Sequence, residues 1–143
     1  MALRLRLRPG ERLAINGAVV RNGSNRSVEL EVLNTAILLH ERDIMLPTEA
    51  DTPLRAVYLA IQLMHLEPEQ FQQHHSQFIK VSSLTYAQAM QDEDHDTCTL
   101  VTELVSLVGE RSFVPALKKL QKVIGRPRSS RVAGDLEPPA AEP

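Results

Sequence analysis

Leucine and arginine alternate near the start of the chain, in the sequence LRLRLR at residues 3–8. Successive side chains of a β-strand point to opposite faces, so this pattern predicts a strand with an apolar face and a cationic face. Arg4, Arg6 and Arg8 would follow one another about 7 Å apart along the cationic face. Each guanidinium presents a planar fork of donors, so the row can bind the phosphates of a nucleic acid. The alternative is a solvated outer face without a ligand.

The other polar residues predict neither a catalytic nor a metal site. His74 and His75 would point about 100° apart on a helix, unlike the i, i+4 pair of a metal site. The acidic sequence DEDHD at 92–96 lacks the spaced acids and glycine of a calcium loop, and acids before a helix usually cap it. Cys98 has no histidine nearby in sequence to activate it. We therefore predict a protein that is not an enzyme and binds neither a cofactor nor a metal.

Length and composition predict a small globular protein of the cytoplasm. The 143 residues suffice for one ordinary domain or two very small ones. No apolar run is long enough to cross a membrane, and we expect no membrane partner. The single cysteine excludes an internal disulfide and fits a reducing compartment. With five aromatic residues and no tryptophan, a stacking platform for single-stranded nucleic acid is not expected.

Charge is distributed unevenly along the chain. Residues 1–46 contain seven arginines, no lysine and five acids, a net charge of +2. Residues 47–125 contain ten acids and six bases, a net charge of −4, and hold all the lysines. This asymmetry suggests two parts with different tasks.

The first part, residues 1–46, is predicted to form a small antiparallel sheet. Asn16-Gly17 is a strong hairpin signal, and Pro9-Gly10 and residues 22–25 are further turn signals. These turns separate five strands, at 3–8, 12–15, 18–21, 26–33 and within AILLHERDIM at 36–45. The last run is too apolar for a half-exposed strand, so we expect it in the centre of the sheet or at an interface.

From residue 48 the apolar period becomes helical, which predicts an α-helical part at 47–125 and an α+β fold. Thr52-Pro53 begins an apolar and therefore buried helix at 53–66. Three more helices are expected: one from Pro68 that Ser82-Ser83 interrupts, one at 97–108 and one between Ser112 and Gly125. Residues 126–143, rich in proline and charge, are expected to be a disordered tail.

Two predictions about association follow from the size of these parts. A sheet of 46 residues cannot bury a sufficient core alone, so it must pack on the helices or on a second copy, and we predict a homodimer. The helices at 54–66 and 97–124 carry more apolar side chains than their mutual packing requires. They predict a surface for a protein partner, the alternative being that they simply form the core of a bundle.

Three segments resemble the FlbT family of flagellin regulators. They are LRPGERLAINGAVVRNG at 7–23, ERDIM at 41–45 and EADTPLRAVYLAIQLMHLEPE at 49–69. The resemblance implies a post-transcriptional repressor of flagellin synthesis. Such a regulator would act at the 5′ untranslated region of flagellin messenger RNA, repressing translation or promoting decay. Flagellin and the small protein FlaF are the implied protein partners.

Residues 3–46 also resemble the CsrA carbon storage regulators, which are small swapped β dimers that bind messenger-RNA leaders. The similar stretches are Leu5 to Glu11 and HERDI at 40–44. In that family the first and last strands form the RNA surface. Together with the arginine alternation, the resemblance predicts an RNA-binding surface with these members: Arg4, Arg6, Arg8, His40 and Arg42.

The alternative function is a protein-interaction module, a chaperone whose apolar helices hold flagellin or FlaF during flagellum assembly. Salt dependence separates the two functions. Phosphate contacts give a steep loss of affinity with salt, about −0.7 in log–log slope per contact for single strands. Apolar helix-in-groove contacts depend on salt much less.

Overall fold

The computed structural model describes residues 3–127 and divides them into two compact units. The β unit contains the described residues up to Ile44 together with Pro127, and the helical unit is Met45–Arg126. Small antiparallel sheets in the first and helices in the second confirm the predicted α+β class. From residue 128 onward, the predicted tail lies outside the described residues.

The β unit contains two small antiparallel sheets. Its strands are β1 (Leu3–Leu7), β2 (Arg12–Ile15), β3 (Ala18–Arg21), β4 (Val28–Val32) and β5 (Leu38–His40). β1 pairs with β4, and the other sheet has the order β3-β2-β5. The apolar last strand therefore lies at an edge, so its predicted central place is wrong, whereas a place at an interface stays a prediction. β5 stops at His40 because residues 41–43 form a 3₁₀ turn, in which the Arg42 N–H donates to the His40 side chain.

The predicted hairpin at Asn16-Gly17 is present between β2 and β3. Both residues have positive φ, 49° and 86°, as the turn requires. Asn16 also joins this turn to the chain before β5: its side-chain oxygen accepts from the Ile37 N–H at 2.7 Å, and its own N–H donates to the Ile37 carbonyl at 2.8 Å. One residue thus sets both the hairpin and the approach of β5.

Asn22, in the turn after β3, is buried and links the two sheets. Its side-chain amide donates to the carbonyls of Leu7, at the end of β1, and of Arg26, both at 2.9 Å. Its side-chain oxygen accepts from the N–H and the hydroxyl of Ser24 at 2.9 and 2.7 Å. The sequence indicates a turn here but not this link, which holds the end of the arginine strand.

The helical unit is built from four helices around one core. They are α1 (Pro53–Leu66), α2 (Phe71–Gln91), α3 (His95–Gly109) and α4 (Phe113–Ile124). α1 and α3 each pack against both α2 and α4. The largest fully buried side chains of the unit come from all four helices: Tyr58, Phe78, Ile61, Met64, Leu104, Leu117 and Leu120. The nearly all-apolar sequence of α1 fits its buried place.

Two helix boundaries show how local signals are used or overridden. Thr52 caps α1 as predicted, because its hydroxyl accepts from the Arg55 N–H at 3.2 Å ahead of Pro53. The interruption predicted at Ser82-Ser83 is wrong, since α2 is continuous. Ser82 is buried, and its hydroxyl donates to the Phe78 carbonyl one turn earlier, so the helix satisfies this polar group without breaking.

Candidate nucleic-acid interface

The pairing of β1 with β4 extends the alternation of the first strand across the whole sheet. Leu3, Leu5 and Leu7 are opposite Val32, Leu30 and Val28. On the other face Arg4 is opposite Glu31, and Arg6 is opposite Glu29. The sheet therefore has one apolar face and one charged face, on which a row of arginines lies beside a row of glutamates.

The three predicted arginines are all exposed. The Arg4 Nε lies 3.8 Å from the Glu31 Oε2, with side chains 66% and 50% exposed. Within residues 3–127 the Arg6 and Arg8 guanidiniums form no ion pair. Arg8 follows the end of β1, and its backbone N–H donates to the Glu11 carboxylate at 2.7 Å in a turn where Gly10 has a φ of 80°. Two of the three cations are therefore available to a ligand.

His40 and Arg42 are not on this face of the β1–β4 sheet. His40 ends β5, where it pairs with Leu13 of β2, and Arg42 follows in the 3₁₀ turn. First and last strands thus belong to different sheets among the described residues, unlike the shared RNA surface that the CsrA resemblance implies. Arg42 is exposed, and its side chain has no partner in the described part of the chain.

The His40 ring is buried, with 7% of its side chain exposed. Its Nδ1 accepts from the Arg42 N–H at 3.2 Å, so the proton of the neutral ring is assigned to Nε2. That nitrogen lies 3.4 Å from the Glu11 carboxylate, in a geometry too poor for a hydrogen bond. We therefore interpret His40 as a residue that positions the Arg42 backbone rather than as a group that touches a ligand.

A second cluster of cations was not predicted. Arg12 and Arg21 are directly opposite each other in the β2–β3 hairpin. Their like charges repel each other, and Glu41 offsets this repulsion. The Glu41 carboxylate lies 3.7 Å from the Arg12 Nε and accepts a hydrogen bond from the Arg12 backbone N–H at 3.1 Å. The signal was present in the sequence, since the two arginines are equally distant from the Asn16-Gly17 turn.

Residues 3–127 contain neither a metal-binding cluster nor a helix able to span a membrane. They contain no group of three or more histidine, cysteine, aspartate or glutamate side chains arranged to hold a metal ion. None of the described helices combines the length and the apolar character that a membrane span requires. The features that remain define a small two-unit α+β protein that presents charged and apolar surfaces.

The comparisons with known proteins agree with the sequence resemblance. The family model described as "Flagellar protein FlbT" matches residues 3–128, so the chain belongs to the FlbT family. A relative in Brucella anthropi is 42% identical over 104 residues, which are 73% of this chain and 67% of the relative. Its name is "Probable flagellum biosynthesis repressor protein FlbT".

Further relatives with the same name, in Brucella abortus strain S19 and Brucella suis biovar 1, are 41% identical over 104 residues with the same coverage. These names support a regulatory role in flagellum synthesis. No solved structure matches the chain significantly, so the resemblance of residues 3–46 to CsrA stays a prediction.

Proposed function

We propose that this protein represses flagellin synthesis after transcription, by binding the 5′ untranslated region of flagellin messenger RNA. Binding there would block translation or promote decay of the message, and it places the protein in the cytoplasm with its target. The names of the Brucella relatives support the repressor role. The exposed arginine row on the β1–β4 sheet is the one observation that carries the RNA-binding role.

The chemistry of the row favours contact with the RNA backbone. Guanidiniums at every second position of a strand recur about 7 Å apart, a spacing at which successive cations can each contact a phosphate. No aromatic residue occurs in β1 or β4, so the face lacks groups on which bases stack. Glu29 and Glu31 lower the affinity of this face for any polyanion and thereby weaken non-specific binding.

A titration with flagellin leader RNA over a series of salt concentrations tests this function. Replacing Arg4, Arg6 and Arg8 together by Gln should abolish most binding and flatten the salt slope. A matched control removes three exposed cations from the helical unit instead, as Lys80→Gln, Lys122→Gln and Arg126→Gln. Equal loss in both variants would indicate a non-specific charge effect. Unchanged affinity in the arginine variant, with folding intact, would exclude the row as an RNA site.

We also propose that the β unit associates with a second copy. A two-stranded sheet is marginal alone, and both sheets have open edges among the described residues. Leu33 and Val19, next to these edges, are 75% and 67% exposed. Sedimentation at micromolar concentration should give a dimer that Val19→Thr and Leu33→Thr together weaken, and a monomer for the unaltered chain would refute this.

A second candidate function is that of a protein-interaction module, a chaperone for flagellin or FlaF. The observation that favours it is the exposure of large apolar side chains on the helical unit, including Leu84, Met90 and Val123. Binding of purified flagellin or FlaF should lose affinity with salt less steeply than binding of leader RNA does. If neither protein binds in a direct titration, these residues are only exposed parts of the bundle.

A further inference from the structure

The helical unit has an open groove of about 600 Å³. It lies between the start of α1, the second half of α2, the start of α3 and the end of α4. Most of its surface is apolar, with contributions from Leu54, Val81, Leu84, Ala89 and Ile124. Leu84 is 64% exposed, a large loss of apolar burial for a residue in the middle of a helix. The groove has the size of a binding pocket, which is about 300–1,000 Å³.

The floor of the groove offers nothing to an extended peptide. Thr85 and Ala89 form it as buried, small residues of α2. The Thr85 hydroxyl donates to the Val81 carbonyl at 2.7 Å, so its proton is already used. The walls are helices, which bond their own backbone groups and leave no strand edge for pairing. A helix, which satisfies its own backbone groups, therefore suits this groove better than an extended peptide does.

One end of the groove is acidic. Asp92 and Asp94 line it, and Glu93 and Asp96 are exposed beside them. Within residues 3–127 none of the four carboxylates forms an ion pair with a lysine or arginine, and the groove lining contains neither residue type. His95 and the N–H groups at the start of α3 offset part of this negative charge, and the carboxylates together complement a cationic partner.

Hydrogen bonds hold two of these carboxylates in place. Asp94 accepts from the hydroxyl and the N–H of Thr97 at 2.6 and 3.1 Å, and these bonds lower its pKa, so it is charged at neutral pH. Asp92 accepts from the Gln88 side chain at 3.1 Å. Both carboxylates thus make local hydrogen bonds in the absence of a partner.

We propose that this groove binds an amphipathic helix of a protein partner, with its apolar stripe on Leu84 and its lysine- or arginine-bearing end over Asp92 and Asp94. The apolar residues of such a helix would recur at i, i+3 or i+4, and i+7, the spacing of helix-in-groove recognition. This proposal rests on the second candidate function, that of a protein-interaction module, and specifies the chemistry of the partner. It shares no residue with the proposed RNA surface, so the two proposals fail independently.

Selection from a library of helix-forming peptides of about 16 residues, displayed against the full chain, tests the proposal. The selected sequences should share an apolar stripe and basic residues at one end. The best one is then titrated beside a matched peptide in which Glu replaces each basic residue. The basic peptide should bind at least about tenfold more tightly. No enrichment, or equal binding of the two peptides, would overturn the proposal.

Variants of the protein test where the selected peptide binds. Leu84→Ser should weaken the basic peptide by at least about tenfold. Ile79→Ser, at an exposed apolar residue of α2 outside the groove, is the matched control and should change affinity less than about twofold. Asp92→Asn with Asp96→Asn should reduce the salt dependence while leaving the Asp94 cap intact. An equal effect of the two serine variants would place the peptide elsewhere.

Two further measurements separate the other occupants. If Leu84→Ser turns a dimer into a monomer in sedimentation and leaves peptide binding unchanged, the groove is an interface between copies and the proposal is wrong. If the same change abolishes binding of leader RNA but not of the peptide, the occupant is RNA, which also overturns it. Replacing Arg4, Arg6 and Arg8 by Gln should leave peptide affinity unchanged, whatever it does to RNA binding.

Discussion

The guanidinium of Arg4 lies 3.8 Å from the carboxylate of Glu31, directly across the β1–β4 sheet. Both side chains are at least half exposed, so the pair itself contributes little to folding stability. The pair matters for RNA binding instead, because Glu31 competes with a phosphate of the RNA for the Arg4 guanidinium. Arg6 faces Glu29 in the same register but without an ion pair within residues 3–127, and it is freer to bind.

Removing the two glutamates from the charged face should strengthen RNA binding. Exposed charge pairs contribute about 0.2–1 kcal/mol, so Glu31→Gln should raise affinity roughly 1.4- to 5-fold at low salt. Glu29→Gln should act in the same direction. Glu69→Gln, an exposed acid of the helical unit, serves as the control and should have a smaller effect. Weaker binding of the Glu31 variant would contradict the assignment of this face.

The individual arginines should differ in importance. Arg6→Gln should weaken leader-RNA binding more than Arg4→Gln does, and it should flatten the salt slope by about 0.7 for one lost contact. In a Glu31→Gln background the cost of Arg4→Gln should rise toward that of Arg6→Gln, because Arg4 no longer has a competing partner. A titration of the four variants measures this coupling, and additive effects would show that the ion pair is irrelevant to binding.

Asn22→Ala should destabilise the β unit by about 1–3 kcal/mol, since it leaves the buried carbonyl of Leu7 without this donor. Urea denaturation followed by NMR signals of β1 and β3 measures the change. Asn25→Ala is the control, because Asn25 is exposed and its side chain has no hydrogen bond within residues 3–127. Equal stabilities of the two variants would mean that the link between the sheets contributes nothing.

The start of α3 should loosen in acid. Hydrogen bonds from the hydroxyl and then the N–H of Thr97 lower the pKa of Asp94 in the folded protein. The stability from this cap is therefore complete above the ordinary aspartate pKa of about 3.9, and it is lost as pH falls through the lower folded value. Amide exchange at Thr97 between neutral and acidic pH measures it. Asp94→Asn, which still caps, should remove the dependence, and an unchanged profile would contradict this assignment.

The sequence alone was sufficient for features that depend on residues within a few positions of one another. The alternation of β1, the hairpin at Asn16-Gly17 and the start of α1 at Thr52-Pro53 are of this kind. Strand period, turn conformation and helix capping are local properties, so their signals survive in a linear pattern. The family resemblance was carried by equally short motifs, which the match over residues 3–128 confirmed.

Only the tertiary structure decided which charges meet. Arg4 and Glu31 are brought together by the pairing of β1 with β4, which no local pattern specifies, and His40 is buried while Arg42 beside it is exposed. Ser82 stays inside a continuous helix because core packing outweighs its weak helix preference. The groove around Leu84 likewise arises because the start of α1 and the end of α4 are brought to the α2–α3 corner from distant parts of the sequence. Contacts across long sequence separations depend on the packing of the whole unit. For this reason only the three-dimensional structure distinguishes an arginine paired with a glutamate, such as Arg4, from an arginine without an ion pair, such as Arg6.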